Sequence, residues 1–130
     1  MIALDTSSLI AYLSGDEGPD VDAAEVALEH QQAVLPPVVL SELLSDPTLE
    51  GQVKDLFIRL PLLDILEGYW ERSGLLRARA LARGRRARLA DTLIAQSCLD
   101  HKVELVTRDV DFQVFVRTGG LKLFGARTRR

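Results

Sequence analysis

Five carboxylates stand apart from the other acids of the chain by the company they keep. Asp5 directly follows the apolar run Ile2-Ala3-Leu4, and Asp109 and Asp111 bracket Val110 just beyond Leu105-Val106. Glu42 sits within Val38-Val39-Leu40-Ser41-Glu42-Leu43-Leu44, and Asp91 within Ala90-Asp91-Thr92-Leu93-Ile94-Ala95. Taken singly, each has an ordinary explanation. Asp5 suits a helix N-cap bonding the amides of Ser7 or Ser8. Asp91 suits the positive end of a helix macrodipole, where a carboxylate gains up to about 1 kcal/mol. Asp109 and Asp111 suit a turn, since aspartates bond nearby backbone amides. Glu42 has apolar neighbours on nearly every side, so it is expected to be half-buried, with a raised pKa or a cation close by.

The conjunction points further. Asp5 and Asp109 fall at the ends of apolar runs that read as strands, while Glu42 and Asp91 fall on helices next to that edge. Oxygen donors from separate elements, without histidine or cysteine, are the set a hard cation such as Mg²⁺ or Mn²⁺ takes. Carboxylates gathered at one point repel each other unless such a cation is present. With it, they can hold and activate a water against a phosphodiester.

The elements that must position these groups follow from the apolar pattern. Strands are expected over residues 2–4, 33–35, 62–66, 103–106 and 121–124. Helices are expected over 7–13, 19–32, 38–45, 49–60, 67–83 and 90–101, with a helical turn over 112–117. Pro19 and Pro37 suit first helical turns, and Pro36, Pro47 and Gly84 act as breaks. Short apolar runs alternating with helices argue for an α/β fold: a mostly parallel sheet with helices on both faces. In such sheets functional residues collect at the carboxyl ends of the strands.

Composition removes several alternatives. A chain of 130 residues reads as one domain, 1–130, with enough length for a hydrophobic core. It is 47% hydrophobic and 27% charged, which excludes disorder and low-complexity scaffolds. The lone Cys98 excludes an intramolecular disulfide framework and a cysteine-rich zinc module. His30 and His101 are too few for a histidine-rich metal site. No apolar run is long enough for a membrane span, and the first residues show no basic leader. A soluble, cytoplasmic protein is therefore expected, with no membrane partner.

Four blocks carry a family resemblance: Leu4-Asp5-Thr6-Ser7-Ser8-Leu9-Ile10, Val39-Leu40-Ser41-Glu42-Leu43-Leu44, Leu89-Ala90-Asp91-Thr92-Leu93-Ile94-Ala95 and Leu105-Val106-Thr107-Arg108-Asp109-Val110-Asp111-Phe112. In order, spacing and total length the chain resembles the PIN-domain nucleases, and among them the toxins of VapBC toxin–antitoxin pairs. The resemblance implies a PIN-like α/β/α fold and metal-dependent endoribonuclease activity. Asp5, Glu42 and Asp91 would form the pocket for Mg²⁺ or Mn²⁺, Asp109 would be the fourth acid, and Asp111 stands close by. Thr6 and Thr107 match the hydroxyl residues of the first and fourth blocks. It also implies a homodimer and a cognate antitoxin, with packing surface expected around Leu9, Tyr12, Val39 and Leu43.

The net charge of −3 speaks against a nucleic-acid partner, yet the charges are segregated. Arg72, Arg77, Arg79, Arg83, Arg85, Arg86 and Arg88 follow one another with no acid between them. A basic helix face is often merely solvated. Beside an acidic pocket, however, RNA needs a phosphate track, and Arg85, Arg86 and Arg88 lead directly into Asp91. Arg127, Arg129 and Arg130 read as a frayed tail. Tyr69 and Trp70 read as half-buried packing and Cys98 as a small core residue.

Other classes fit less well. A non-catalytic PIN-like module binding RNA or protein would have no need of all four acids. A haloacid-dehalogenase-type phosphatase wants a second aspartate two residues after the first, where Ser7 stands. A response-regulator receiver wants an acidic pair near the first strand and a late lysine, but the late strand ends in Thr107-Arg108.

Overall fold

The computed structural model describes residues 1–125. Arg127, Arg129 and Arg130 lie outside the described residues. Strands β1 (Ile2–Leu4), β2 (Ala33–Val34) and β3 (Leu105–Val106) form a parallel sheet in the order β2-β1-β3. The register sets Ile2 against Ala33 and Ala3 against Val34 on one side of β1. On the other side Ala3 faces Leu105 and Leu4 faces Val106. The central strand is covered on both faces, which is why it reads as an unbroken apolar run.

Among the described residues, seven helices surround the sheet: α1 (Thr6–Leu13), α2 (Pro19–Glu29), α3 (Pro37–Leu44), α4 (Gly51–Arg59), α5 (Tyr69–Ala82), α6 (Leu89–His101) and α7 (Gln113–Gly119). A 3₁₀ turn, Val110–Phe112, leads into α7. Helices α1 and α2 pack together, α5 packs on α6 and α7, and α3 touches both α1 and α6. Pro19 and Pro37 occupy first helical turns, where their missing N–H costs nothing. Gly120, with φ +79°, ends α7 in the left-handed region. Its neighbour Gly119 is a close approach: a Cβ there would lie 2.8 Å from Leu76 Cδ1.

Two expected strands shrink to single bridges. In place of a strand over 62–66, only Leu62 pairs, in parallel with Leu35. The amide of Leu35 donates to Pro61 O, and that of Leu63 to Leu35 O. Pro61 has no N–H for a ladder, and Ile65 and Leu66 are exposed, so the run lacks the two-sided burial a central strand needs. The strand expected over 121–124 is likewise one parallel bridge, Leu105 to Leu123. The expected start of α5 moves from Glu67 to Tyr69, because Gly68 is left-handed at φ +82°.

Packing decides which helix faces are buried. Helix α5 buries Tyr69, Ser73, Leu76 and Ala80, a stripe at helical spacing, and leaves Trp70, Leu75 and Leu81 exposed. Helix α6 is buried nearly all round, at Thr92, Ile94, Ala95, Gln96, Ser97 and Cys98, which accounts for its small residues. Cys98 is a core residue as expected, and burial pushes its thiol up to about 12. Leu9, Val39 and Leu43 belong to the core too. Of the surface expected to mediate dimer packing, only Tyr12 retains partial exposure.

Candidate active site

The sheet brings Asp5 and Thr107 together. Asp5 N donates to Val106 O at 2.9 Å, so β1 and β3 end side by side and release their next residues at the same edge. Asp5 occupies the N-cap position of α1 but makes no side-chain cap bond. Its carboxylate is held instead by two hydroxyls, Ser7 Oγ at 2.7 Å and Thr107 Oγ1 at 2.8 Å, both donating to Oδ2. Burial raises the Asp5 pKa above the usual carboxylate range, and these hydroxyl bonds oppose the rise.

Thr107 also organises the acids that follow it. The Asp109 amide donates to Thr107 Oγ1 at 3.0 Å, and the Asp111 amide donates to Asp109 Oδ1 at 2.9 Å. Asp109 thereby caps the 3₁₀ turn, the turn chemistry its position suggests. Phe112, fully buried, anchors that turn in the core.

Asp91 lies in the first turn of α6 and meets this loop. Asp91, Asp109 and Asp111 each bring one carboxylate oxygen within 4.8 Å of the others. The Asp91 pKa is raised to about 6, first by burial, then by the charges of Asp109 and Asp5, with Glu42 adding and Arg88 opposing. Asp5 and Glu42 stand outside the trio but close enough for their fields to reach it.

Glu42 departs from expectation. It is exposed, because α3 turns Val39 and Leu43 into the core and leaves Ser41 and Glu42 on the open side. Its Oε1 accepts from Thr6 Oγ1 at 2.7 Å, so the hydroxyl after Asp5 ties α1 to α3. A concavity of about 340 Å³ opens beside it, lined among others by Ile10, Leu13, Leu43, Leu49 and Val53.

The arginine run is divided. Arg72 grips Asp100 through Nε at 2.9 Å and Nη2 at 2.7 Å, and Arg77 donates to Ala87 O at 2.8 Å. Those two tie α5 to neighbouring chain. Arg85 and Arg86 are exposed, and Arg88 stands 3.9 Å from Asp111 at the entrance to α6. Tyr69 is buried and donates to Leu93 O, whereas Trp70 is exposed and meets the Tyr69 ring edge-on.

Three residues that sequence reasoning passed over shape the site: Ser7, Ser8 and Asp20. Ser7 lay within the polar cluster after Asp5, so a signal was present. Asp20 sits 88 positions from its partner Arg108, and no local pattern marks that pairing.

A family model for the PIN domain matches residues 2–117. The chain belongs to the PIN domain family. Its PIN fold is similar to several solved structures. FitAcB from Neisseria gonorrhoeae superposes with a TM-score of 0.70 at 24% identity, over 96% of this chain and 97% of the other. VapBC2 from Rickettsia felis, bound to a DNA fragment from its promoter, gives 0.70 at 25% identity over 95% and 97%. VapBC-5 from Mycobacterium tuberculosis, a member of the VapBC family of toxin–antitoxin systems, gives 0.65 at 18% identity over 94% and 95%. Among curated proteins, none matches the chain.

The donor set of this PIN domain suits a hard divalent cation. Its acids supply only oxygen, three of them converge, and burial, with the charges of Asp109 and Asp5, raises the Asp91 pKa. Among the described residues, no helix is long and apolar enough to cross a membrane.

Proposed function

We propose that the protein is a Mg²⁺- or Mn²⁺-dependent endoribonuclease and the toxin of a toxin–antitoxin pair. The observation that carries the reading is the convergence of Asp91, Asp109 and Asp111 beside buried Asp5 in a PIN fold. Asp5, Asp91 and Asp109 would hold the cation, with Asp111 and Glu42 completing the acidic ring. There it would supply an activated water and charge screening for attack on a phosphodiester.

The chain's own groups do the rest. The Ser7 and Thr107 hydroxyls fix the Asp5 carboxylate in one orientation. Thr6 does the same for Glu42 across the α1–α3 gap. Arg85, Arg86 and Arg88 hold the RNA backbone near an otherwise repulsive pocket, through contacts that carry no sequence information.

The partner is an antitoxin, a reading supported by the likeness to VapBC-5, a member of the VapBC family of toxin–antitoxin systems. The concavity beside Glu42 offers an apolar seat for one antitoxin segment. A cationic side chain from that segment, arginine above all, pairs with the acids and competes with the metal. The toxin itself acts as a cytoplasmic homodimer of single-domain chains.

Cleavage of a mixed-sequence single-stranded RNA tests this. Activity is expected with Mg²⁺ or Mn²⁺, little with Ca²⁺, none with EDTA and none in Asp91→Asn. Full activity of Asp91→Asn would contradict the assignment. RNA binding without cleavage under any metal would favour the non-catalytic module instead.

A further inference from the structure

The loop after β3 alternates. Thr107 and Asp109 turn towards Asp5 and the acidic trio, and the residue between them, Arg108, turns the opposite way. Its guanidinium meets Asp20 on α2 in a two-pronged grip, Nε to Oδ2 at 2.8 Å and Nη2 to Oδ1 at 3.0 Å. Nη2 also donates to Glu17 O at 3.1 Å, and Nη1 lies 3.8 Å from Asp16. Asp20 Oδ2 accepts in addition from Ser8 Oγ at 2.8 Å, and Ser8 is fully buried on α1. The Asp20 side chain retains only 12% of its exposure.

Two linkages therefore run side by side through adjacent serines. In front, Asp5 joins the Ser7 and Thr107 hydroxyls, and Ser7 Oγ accepts from the Arg108 amide at 3.3 Å. Behind, Asp20 joins the Ser8 hydroxyl to the Arg108 guanidinium. Both hold the same three-residue loop, and the front linkage rests on hydroxyl bonds to the buried Asp5 carboxylate. The rear one is a bidentate, charge-assisted pair, the stronger and more directional kind.

We propose that Arg108 and Asp20 form a rear clamp that positions Thr107 and Asp109 for cation binding. Neither residue touches metal or RNA; they are positioning residues acting through the loop. The proposal rests on the metal-dependent reading above. Mg²⁺ and Mn²⁺ sites demand well-placed oxygens, so small shifts of Asp109 register as lost affinity. Partners that orient metal ligands from outside typically alter affinity or activity by about 10–100-fold when removed.

The test is Mn²⁺ titration of the apoprotein, followed by the electron paramagnetic resonance signal of free Mn²⁺, in wild type, Asp20→Asn, Arg108→Gln, Arg108→Lys and the Asp20→Asn/Arg108→Gln double variant. Circular dichroism and thermal melts check the fold. Either single loss is expected to weaken Mn²⁺ binding about tenfold. The double variant should be no weaker than either single, because the pair acts as one unit. Arg108→Lys should recover part of the loss. With RNA, kcat should fall while KM and its salt dependence stay put, since the clamp faces away from the substrate side. Arg108 is partly exposed, so its variants serve even where Asp20→Asn fails to fold. Mn²⁺ affinity unchanged in folded Arg108→Gln would overturn the clamp and leave the metal site standing. Wild-type protein that binds no Mn²⁺ would overturn the metal reading and the clamp with it.

Discussion

Thr107 Oγ1 lies 2.8 Å from Asp5 Oδ2 and donates its proton to it, joining two strand ends that are 102 positions apart in sequence. The same oxygen accepts from the Asp109 amide. One hydroxyl thus fixes a buried carboxylate and starts the turn that carries two more. Strand pairing makes this possible, because the Asp5 amide bonds to Val106 O and sets the two side chains level.

Thr107→Val should therefore be costly although nearly isosteric. It leaves Asp5 with one hydroxyl donor and the Asp109 amide without its acceptor. A hydrogen bond to a charged group contributes about 1.5–3 kcal/mol, so urea unfolding should show a loss of that order. Thr107→Ser keeps the hydroxyl and should stay close to wild type.

Asp91 makes the apoprotein's stability depend on pH in a defined direction. Its folded pKa of about 6 exceeds the unfolded value of 3.8, so the folded state binds the proton more tightly. The resulting stability is present below pH about 4 and is lost as pH rises through 6. In EDTA, Asp91→Asn should melt above wild type at pH 7.5 and match it near pH 4. Added Mn²⁺ should reverse the order at pH 7.5, and its apparent affinity for wild type should drop below pH 6. Equal melting temperatures of the two apoproteins at pH 7.5 would contradict a carboxylate strained by burial and by the charges of Asp109 and Asp5.

Much of this arrangement was legible in the sequence because it is local. The apolar run before Asp5 and the prolines that open α2 and α3 act over a few residues, and each appears in the structure where the pattern places it. Glu42 misled because its apolar neighbours bury themselves and turn it outward: which way a short helix faces is decided by packing. The strands expected at 62–66 and 121–124 failed for the same reason, since edge positions lack burial on both sides. The Arg108–Asp20 pair and the fate of Arg72 depend on contacts between distant segments, which periodicity does not encode.

Arg85, Arg86 and Arg88 separate a phosphate track from a solvated face. If they bind RNA, replacing them with glutamine should flatten the slope of log affinity against log salt by roughly 0.7 for each phosphate no longer neutralised. The rate at saturating RNA should change less than the affinity. Arg88→Gln alone also frees Asp111, so Arg85→Gln/Arg86→Gln is the cleaner variant. An unchanged slope in filter binding would assign these residues to the solvated face.

Phe112 tests how far the core supports the site. It is fully buried directly after Asp111. Phe112→Ala should destabilise by about 3–5 kcal/mol, a large share of a small domain's total. Phe112→Leu should cost less, and denaturant titration would rank the two. Mn²⁺ affinity should fall with both, since the turn carrying Asp109 and Asp111 loses its anchor.

The chemical identity of the RNA ends tests the central claim most directly. Attack by an activated water leaves one linear phosphate and one hydroxyl, because the ribose 2′-hydroxyl takes no part. Mass spectrometry of a short single-stranded RNA cut in Mg²⁺ should show only linear ends, and no products with EDTA or in Asp91→Asn. Products ending in 2′,3′-cyclic phosphate, formed equally well in EDTA, would contradict the account.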